Sequence, residues 1–394
     1  MPDSPFVFAP RTLAARLAGL GLACLLVVAL DLWLRTGPAP PARARWVVSP
    51  DSVPAGQLRK LGQGQIPMPA NTPSAHASAL LAMPAGHPTV LFAFWFAGSS
   101  EGAADVQVVV SGFDRATQSW SPAYFVLNRQ SLGEQLGFAV RRLGNPVAWL
   151  DDQERIHLFV VATGPGGWAA ARVVHLRQVS ETRGGEPLAF AMPRVLPLSW
   201  LWNLSFLVRN APLALHDGGM VLPVHFELGI KYPAALRFNA RGEFLGMRRI
   251  SDRHGLLQPT LLMQSETHWL ALMRDQRPAG HVAVAQTVNG GLNWTDLPDT
   301  ALPNPDAAVA ALALAPGRML LAHNSSPDSR VALDLSSSTQ GRDWVLARPL
   351  VHGGVGEEYS YPALAWAQDS LWLSYTDRRR RIAWQRYAFC AAGC

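Results

Sequence analysis

"LQPTLLMQSETHWLALMRDQRPAGHVAVAQTVNGGLNW", Leu257–Trp294, holds three pieces in a fixed order. A polar residue beside a proline opens an apolar run ("LQPTLLM"), a second β-rich run ends on charge ("HWLALMRD"), and a polar turn closes on tryptophan ("TVNGGLNW"). Runs this short, split by Gly, Asp and Asn, read as strands. The opening piece recurs as "SAHASALLA", "GNPVAWL", "RNAPLAL", "PNPDAAVAALAL" and "SYPALAW", so that six openings are led by His76, Asn145, Asn210, Gln258, Asn304 and Tyr361. Each is followed by a second strand, from "VLFAFWF" in the first unit to "LWLSYTD" in the last. Such recurrence marks a repeat architecture, in which a unit buries its apolar face only against its neighbours. Dividing the chain from Trp46 onward by six gives about 58 residues per unit, enough for a four-stranded blade. The chain therefore reads as all-β, a six-bladed β-propeller over 46–394, with "RWVVSP" (Arg45–Pro50) expected to complete the last blade. No amphipathic helix is expected after Val90.

The turn pieces set the orientation. "TVNGGLNW" has the form Ser/Thr-x-Asp/Asn-x-Gly-x-x-Trp of an Asp-box hairpin, in which the Asn side chain bonds turn amides and Gly takes a left-handed dihedral. "SSTQGRDW", Ser337–Trp344, repeats it with Thr339 in the acidic slot, and "SETRGGEP", Ser180–Pro187, is a copy without Trp. These turns join third and fourth strands. Because an antiparallel meander reverses at every strand, the starts of first strands and the ends of second strands gather at the opposite end. That end collects Tyr361, His76, Gln258 and Asn304 from the openings, with Glu101, Glu227, Arg274, Asp275, Arg330 and the Asp377–Arg381 turn. Two carboxylates, two arginines and a tyrosine at one axial mouth form a candidate glycosidase site.

At 49% hydrophobic and 16% charged, the chain can bury a sizeable core, which excludes a largely disordered protein. The formal charge of +6 is dispersed except for Arg378–Arg381. Without an aromatic-interleaved basic stripe, that run reads as a solvated turn, and no nucleic acid is expected as partner. Arg11 and Arg16 precede the apolar run Leu17–Leu30, which leads into a Pro-rich linker, so 1–45 is set apart from the fold. It reads as an uncleaved signal anchor holding the propeller to the inner membrane, on the periplasmic or extracellular side. The alternative is a cleaved signal peptide and a secreted protein, with Ala42-Arg43-Ala44 as a small-x-small site. The neighbours of Cys24 do not fit a lipoprotein cysteine. Cys390 and Cys394 fit a small disulfide or two free thiols. No His or Cys cluster has metal-ligand spacing and no phosphate-binding glycine loop opens a helix, so neither metal nor cofactor is expected. A monomer is expected.

The stretches "HASALLAM…FAFWFAGSSEG", "LALMRD…TVNGGLNW", "LLAHNSSPDSRVALDLSSSTQGRDW" and "EEYSYPALAW" resemble the bacterial sialidase (neuraminidase) family with BNR repeats, over essentially everything after the linker. The resemblance implies an arginine cluster for the substrate carboxylate, a carboxylic acid/base, and a tyrosine nucleophile activated by a glutamate. It carries the nucleophile onto Tyr361 in "YPAL", two arginines onto Arg274 and Arg330, and the glutamate onto Glu227. Two positions depart from the family pattern: its first arginine falls on His76 in "HASAL", and its acidic aspartate on Glu101.

This chemistry stands on its own terms. The carboxylate at the anomeric carbon of a sialic acid would repel an anionic nucleophile, whereas a phenol avoids like charge. A free Tyr, with a pKa near 10, needs an adjacent base, which Glu227 would supply. Arg274 and Arg330 would grip a carboxylate through paired N–H donors, Glu101 would protonate the leaving oxygen, and His76, Asp275, Gln258 and Asn304 would line the substrate. Structural readings stand beside these: Tyr361 as a strand aromatic, the arginines as ion-pair partners, Glu227 as part of a solvated turn, His76 as a satisfied core histidine. A propeller that binds glycans without cleaving them is the second functional reading.

Overall fold

The structure, a computed structural model, describes residues 10–35, 41–48, 56–181, 183 and 186–390. Six antiparallel sheets of four or five strands form the six blades of a β-propeller. The innermost strands of blades 1, 2, 4, 5 and 6 are Ser74–Ala82, Arg142–Leu150, Leu256–Met263, Ala310–Ala315 and Tyr359–Ala367. In blade 3 that strand is split into Phe206–Val208 and Leu213–Ala214, which both pair with Met220–Phe226. Second strands such as Thr89–Gly98 and Ile156–Thr163 are buried almost end to end, because each is covered by neighbouring blades on both faces. The core accordingly runs between blades, with Trp95, Trp269 and Trp372 among its largest fully buried side chains.

The ring closes differently from the expectation. The fourth strand of blade 6 is Gln57–Gln65, paired antiparallel with Arg381–Cys390, so the first and last strands of the propeller lie side by side. Of "RWVVSP", Ser49 and Pro50 lie outside the described residues. The segment before it crosses blades 3 and 4: Ala44 bridges Leu215, Ala42 N–H donates to the Gly290 carbonyl, and Trp46 packs on the blade 3–4 core. "QLRKLGQGQ" is nearly all exposed, as an outermost strand permits, and so carries no apolar signature.

A short helix, Arg129–Leu136, interrupts the strands of the first unit. Asn128 caps it by accepting from Ser131 N–H, and Gly137 ends it in the left-handed conformation. Only Leu132 is buried, so there is no apolar stripe to read.

The third-to-fourth-strand turns sit at one end of the ring. Thr287 Oγ1 accepts from Gly291 N–H and Asn289 Oδ1 from Asn293 N–H, while Trp294 packs on the core. Gly291 has φ +84° with Trp269 pressed beneath it, where a Cβ would lie 2.9 Å from the ring. In the Ser337–Trp344 turn it is Ser338 whose hydroxyl accepts from Gln340 and Gly341 N–H, one residue after the position the motif assigns. The Ser180–Pro187 copy lies partly outside the described residues. Cys394 does too, so the Cys390–Cys394 pairing is not described.

At the N-terminus, Pro10–Arg35 is an α-helix. Its 19-residue window Leu13–Asp31 is long and apolar enough to cross a membrane.

Candidate functional site at the axial mouth

Four innermost strands enter the axis through the same device. The pairing register slips between His76 and Ala79, Gly144 and Val147, Leu257 and Thr260, and Ser360 and Ala363. At each slip one residue is left-handed: Ala77 (φ 55°), Asn145 (30°), Gln258 (49°) and Tyr361 (53°). A β-bulge re-aims the side chain next to it, and Pro or a small residue follows at each of these positions. For a bulky residue such as Tyr or Gln the left-handed conformation costs about 1–2 kcal/mol, and such cost concentrates at working sites.

At this mouth the Tyr361 ring packs against an imidazole and a guanidinium. The His76 ring is 4.2 Å away, centroid to centroid, and the Arg209 guanidinium carbon is 5.0 Å from the phenol ring centroid. The Tyr361 hydroxyl accepts from Arg274 Nη1 at 3.3 Å and from Gln258 Nε2 at 3.4 Å. Arg274 also donates Nη1–H to Gln258 Oε1 at 3.2 Å and Nε–H to Asp306 Oδ1 at 2.6 Å. Burial works against the Arg274 charge, but the Asp306 carboxylate overcomes it and holds the guanidinium above its ordinary range. Arg330 reaches the same group from blade 5: Nη2–H donates to the Asp306 carbonyl and Nη1–H to Glu358 at 3.1 Å.

A second cluster adjoins His76. Glu101 lies with Oε1 3.8 Å from His76 Nε2 and is ion-paired to Arg379, which also donates to both oxygens of Glu358. Both ring nitrogens of His76 are buried, with no hydrogen-bond partner among the described residues. Burial, reinforced by Arg379, Arg209, Arg330 and Arg274, drives its pKa well below the usual histidine range, so the ring is neutral at pH 7. An unsatisfied buried nitrogen costs about 1–3 kcal/mol and calls for an explanation.

The sequence-predicted residues thus separate. Tyr361, Arg274, Gln258 and His76 meet directly; Arg330 and Glu101 join through Asp306, Glu358 and Arg379. Glu227 stands at the end of its strand with Oε1 3.1 Å from His225 Nε2, and no hydrogen bond joins it to Tyr361 among the described residues. Burial pushes its carboxyl up, but His225, Lys231 and Arg274 bring the balance below the ordinary range. Asp275, fully buried, turns to Arg277 at 2.7 Å, and Asn304 folds its own turn, accepting from the N–H groups of Asp275 and Ala307.

Three members, Asp306, Glu358 and Arg209, escaped the sequence reading. Asp306 and Glu358 are carboxylates that hold the arginines. Arg379 lies in the Asp377–Arg381 turn, which the sequence places at this mouth as a solvated turn and which instead holds Glu101 and Glu358. Arg209, 2% exposed, bridges the axis with Nη2–H to the Pro362 carbonyl at 2.8 Å and Nη1–H to Ser78 carbonyl at 3.3 Å. Burial lowers its pKa to about 10, which leaves it charged at pH 7. Its place directly before Asn210 in the third opening was the available signal. Among the described residues no group of three or more His, Cys, Asp or Glu is arranged to hold a metal ion.

The sequence pattern of the BNR repeat-like domain matches residues 89–373, most of the propeller. The chain belongs to the BNR repeat-like domain family. No curated protein sequence matches this BNR-repeat chain. Among solved structures, a Hadza microbial sialidase superposes with TM-score 0.64 at 15% identity, over 81% of this chain and 66% of that one. Trypanosoma rangeli sialidase gives 0.64 at 13% identity, over 89% and 60%. A protein of unknown function from Dyadobacter fermentans gives 0.66 at 13%, over 84% and 99%. At these identities the likeness is one of fold. The BNR-repeat chain spans less than two thirds of either sialidase, but nearly all of the Dyadobacter protein.

Proposed function

We propose that this BNR-repeat propeller is an exo-glycoside hydrolase of sialidase type, which removes a terminal acidic sugar with Tyr361 as nucleophile. The observation that carries the reading is the Tyr361 hydroxyl in hydrogen-bond reach of a partly buried arginine, on a strained backbone, at the mouth of a propeller whose fold is that of sialidases. In the first step the phenol oxygen attacks the anomeric carbon as the bond to the leaving oxygen breaks. The phenol proton passes to Glu227 and the leaving oxygen takes a proton from Glu101. Water then cleaves the tyrosyl adduct, with Glu101 accepting its proton and Glu227 returning the first proton to the departing Tyr361 oxygen, and the configuration is retained. Glu101 must exchange Arg379 for the leaving oxygen, and Glu227 must close on Tyr361 from its place beside His225. Arg274 and Arg330 are the carboxylate ligands, with Arg379 beside His76 where the family has its first arginine. Gln258 orients the phenol, while Asp275 and Asn304 support the Arg274 strand from behind.

The helix Leu13–Asp31 is read as a retained membrane anchor, the propeller standing in the cell envelope outside the cytoplasm, with a glycan or glycoconjugate as substrate and the turns at the opposite end as Asp-boxes. Glu227 bonded to His225 rather than to Tyr361 favours the second reading, a glycan-binding propeller without turnover. A panel of fluorogenic sialosides, other ulosonides and uronides separates the two. Release of one acidic sugar, with a 2,3-difluoro analogue of it trapped on Tyr361 by mass spectrometry, is the expected result. Binding to a glycan without release from any member would replace hydrolysis by recognition.

A further inference from the structure

A carboxylate at the end of an apolar helix is costly in lipid unless it is satisfied. Asp31 is 2% exposed and is satisfied by the propeller: Ser199 Oγ–H donates at 2.9 Å, and the N–H groups of Trp200 and Leu201 donate at 3.2 and 3.3 Å. Ser199 Oγ in turn accepts from Trp202 N–H at 2.8 Å. The helix end therefore shapes a loop whose side chains turn outward, Trp200 55%, Leu201 43% and Trp202 46% exposed. Leu228 and Ile230, also exposed, stand in a second loop that the hydrogen bond from Glu227 N–H to the Ser205 carbonyl ties to the end of the first.

We infer that Trp200, Leu201, Trp202, Leu228 and Ile230 form a membrane-interfacial patch, set at bilayer level by Asp31, on which the propeller rests. The span Leu13–Asp31 rises about 28 Å, close to the hydrocarbon thickness, so Asp31 and whatever it bonds stand where chains give way to headgroups. Tryptophans concentrate at that depth because one ring combines apolar area with an N–H donor. The loop joins a fourth strand to the next first strand, and the Leu228–Ile230 loop joins a second to a third. Both therefore belong to the end of the ring that holds Tyr361, and that end faces the bilayer. A leader removed after Ala44 has no reason to be hydrogen-bonded into the fold, which is why this inference rests on the retained-anchor reading.

The test uses the full chain reconstituted in phosphatidylethanolamine–phosphatidylglycerol vesicles whose acyl chains are brominated near the headgroup. The double variant Trp200→Ser/Trp202→Ser is expected to lose about half or more of the quenched fluorescence, leaving Trp33 and the half-buried Trp168 at the same end. Asp31→Ala, with the helix still inserted, is expected to lose a smaller part by releasing the loop. An unchanged Tm shows that the exposed substitutions spare the fold. Equal quenching of wild type and double variant would overturn the patch while leaving the anchor standing. An N-terminus after Ala44 in protein isolated from membranes would overturn both.

Discussion

The Tyr361 hydroxyl sits 3.3 Å from Arg274 Nη1, although the two residues come from blades 6 and 4 and meet only across the axis. Tyr361→Phe removes that oxygen and keeps the ring packed between His76 and Arg209. Stability should change by no more than about 1 kcal/mol, since Arg274 retains Gln258 and Asp306. Turnover of the cleaved glycoside should fall on the order of 10³-fold or more, with ligand affinity within a few-fold of wild type. Steady-state kinetics and calorimetry read the two quantities separately; turnover within tenfold of wild type removes Tyr361 from the reaction.

Arg274→Lys tests the carboxylate grip. Lysine offers one point charge and cannot serve Asp306, Gln258 and a ligand carboxylate together. KM for an acidic glycoside should rise about 30-fold to 100-fold, or about 2–3 kcal/mol, whereas the corresponding amide should be affected far less. Equal losses for acid and amide would mean that Arg274 serves only to position Tyr361.

The legible and illegible parts of the molecule divide on physical grounds. The blades were readable because each inner strand is an apolar run with a fixed polar start. The closing strand Gln57–Gln65 was not, because an outermost strand buries almost nothing. Tyr361, Gln258 and Arg274 were readable from strand order. Asp275 follows Arg274 by one residue, and the two-residue period of a strand sends it to the other face, toward Arg277. Asp306 and Glu358 lie in turns before their strands, where nothing in spacing distinguishes a site carboxylate from a solvated one. Arg209 was hidden by its burial, because an unpaired arginine in a core is not an expectation that composition supports.

The buried histidines predict a stability profile that starts to fall at mild acidity. Burial, with His157, Arg177 and Arg194 adding, takes the His175 pKa to about 3; His157, hydrogen-bonded to it at 2.9 Å, and His76 are lowered too. The unfolded chain binds these protons near pH 6.5 and the folded chain does not, so stability is full above that pH and is lost as pH falls below it. One such residue accounts for at most about 1.4 kcal/mol per pH unit. Tm should decline from pH 6.5 toward 4.5, and His175→Gln, which can keep a hydrogen bond to His157, should make the decline shallower. A flat profile between pH 7 and 5 would sink this account.

Blade 6 carries a pair of left-handed residues at each end of its second strand, Gln368–Asp369 away from the mouth and Arg378–Arg379 at it, all with φ of 50–55°. A hairpin of this geometry prefers glycine at the second position. Asp369 is exposed and takes no part in the mouth, so Asp369→Gly should raise stability by about 0.5–1 kcal/mol and leave turnover unchanged. Arg379→Gly relieves the same conformation but deletes the contacts to Glu101 and Glu358. Its Tm should not rise, and hydrolysis of an acidic glycoside should drop by about tenfold or more as the mouth loses the arginine that stands beside His76 for the substrate carboxylate. Thermal melts and kinetics on the two variants side by side decide the matter: the strain at the mouth is tied to function only if glycine helps at the far turn and harms at the near one.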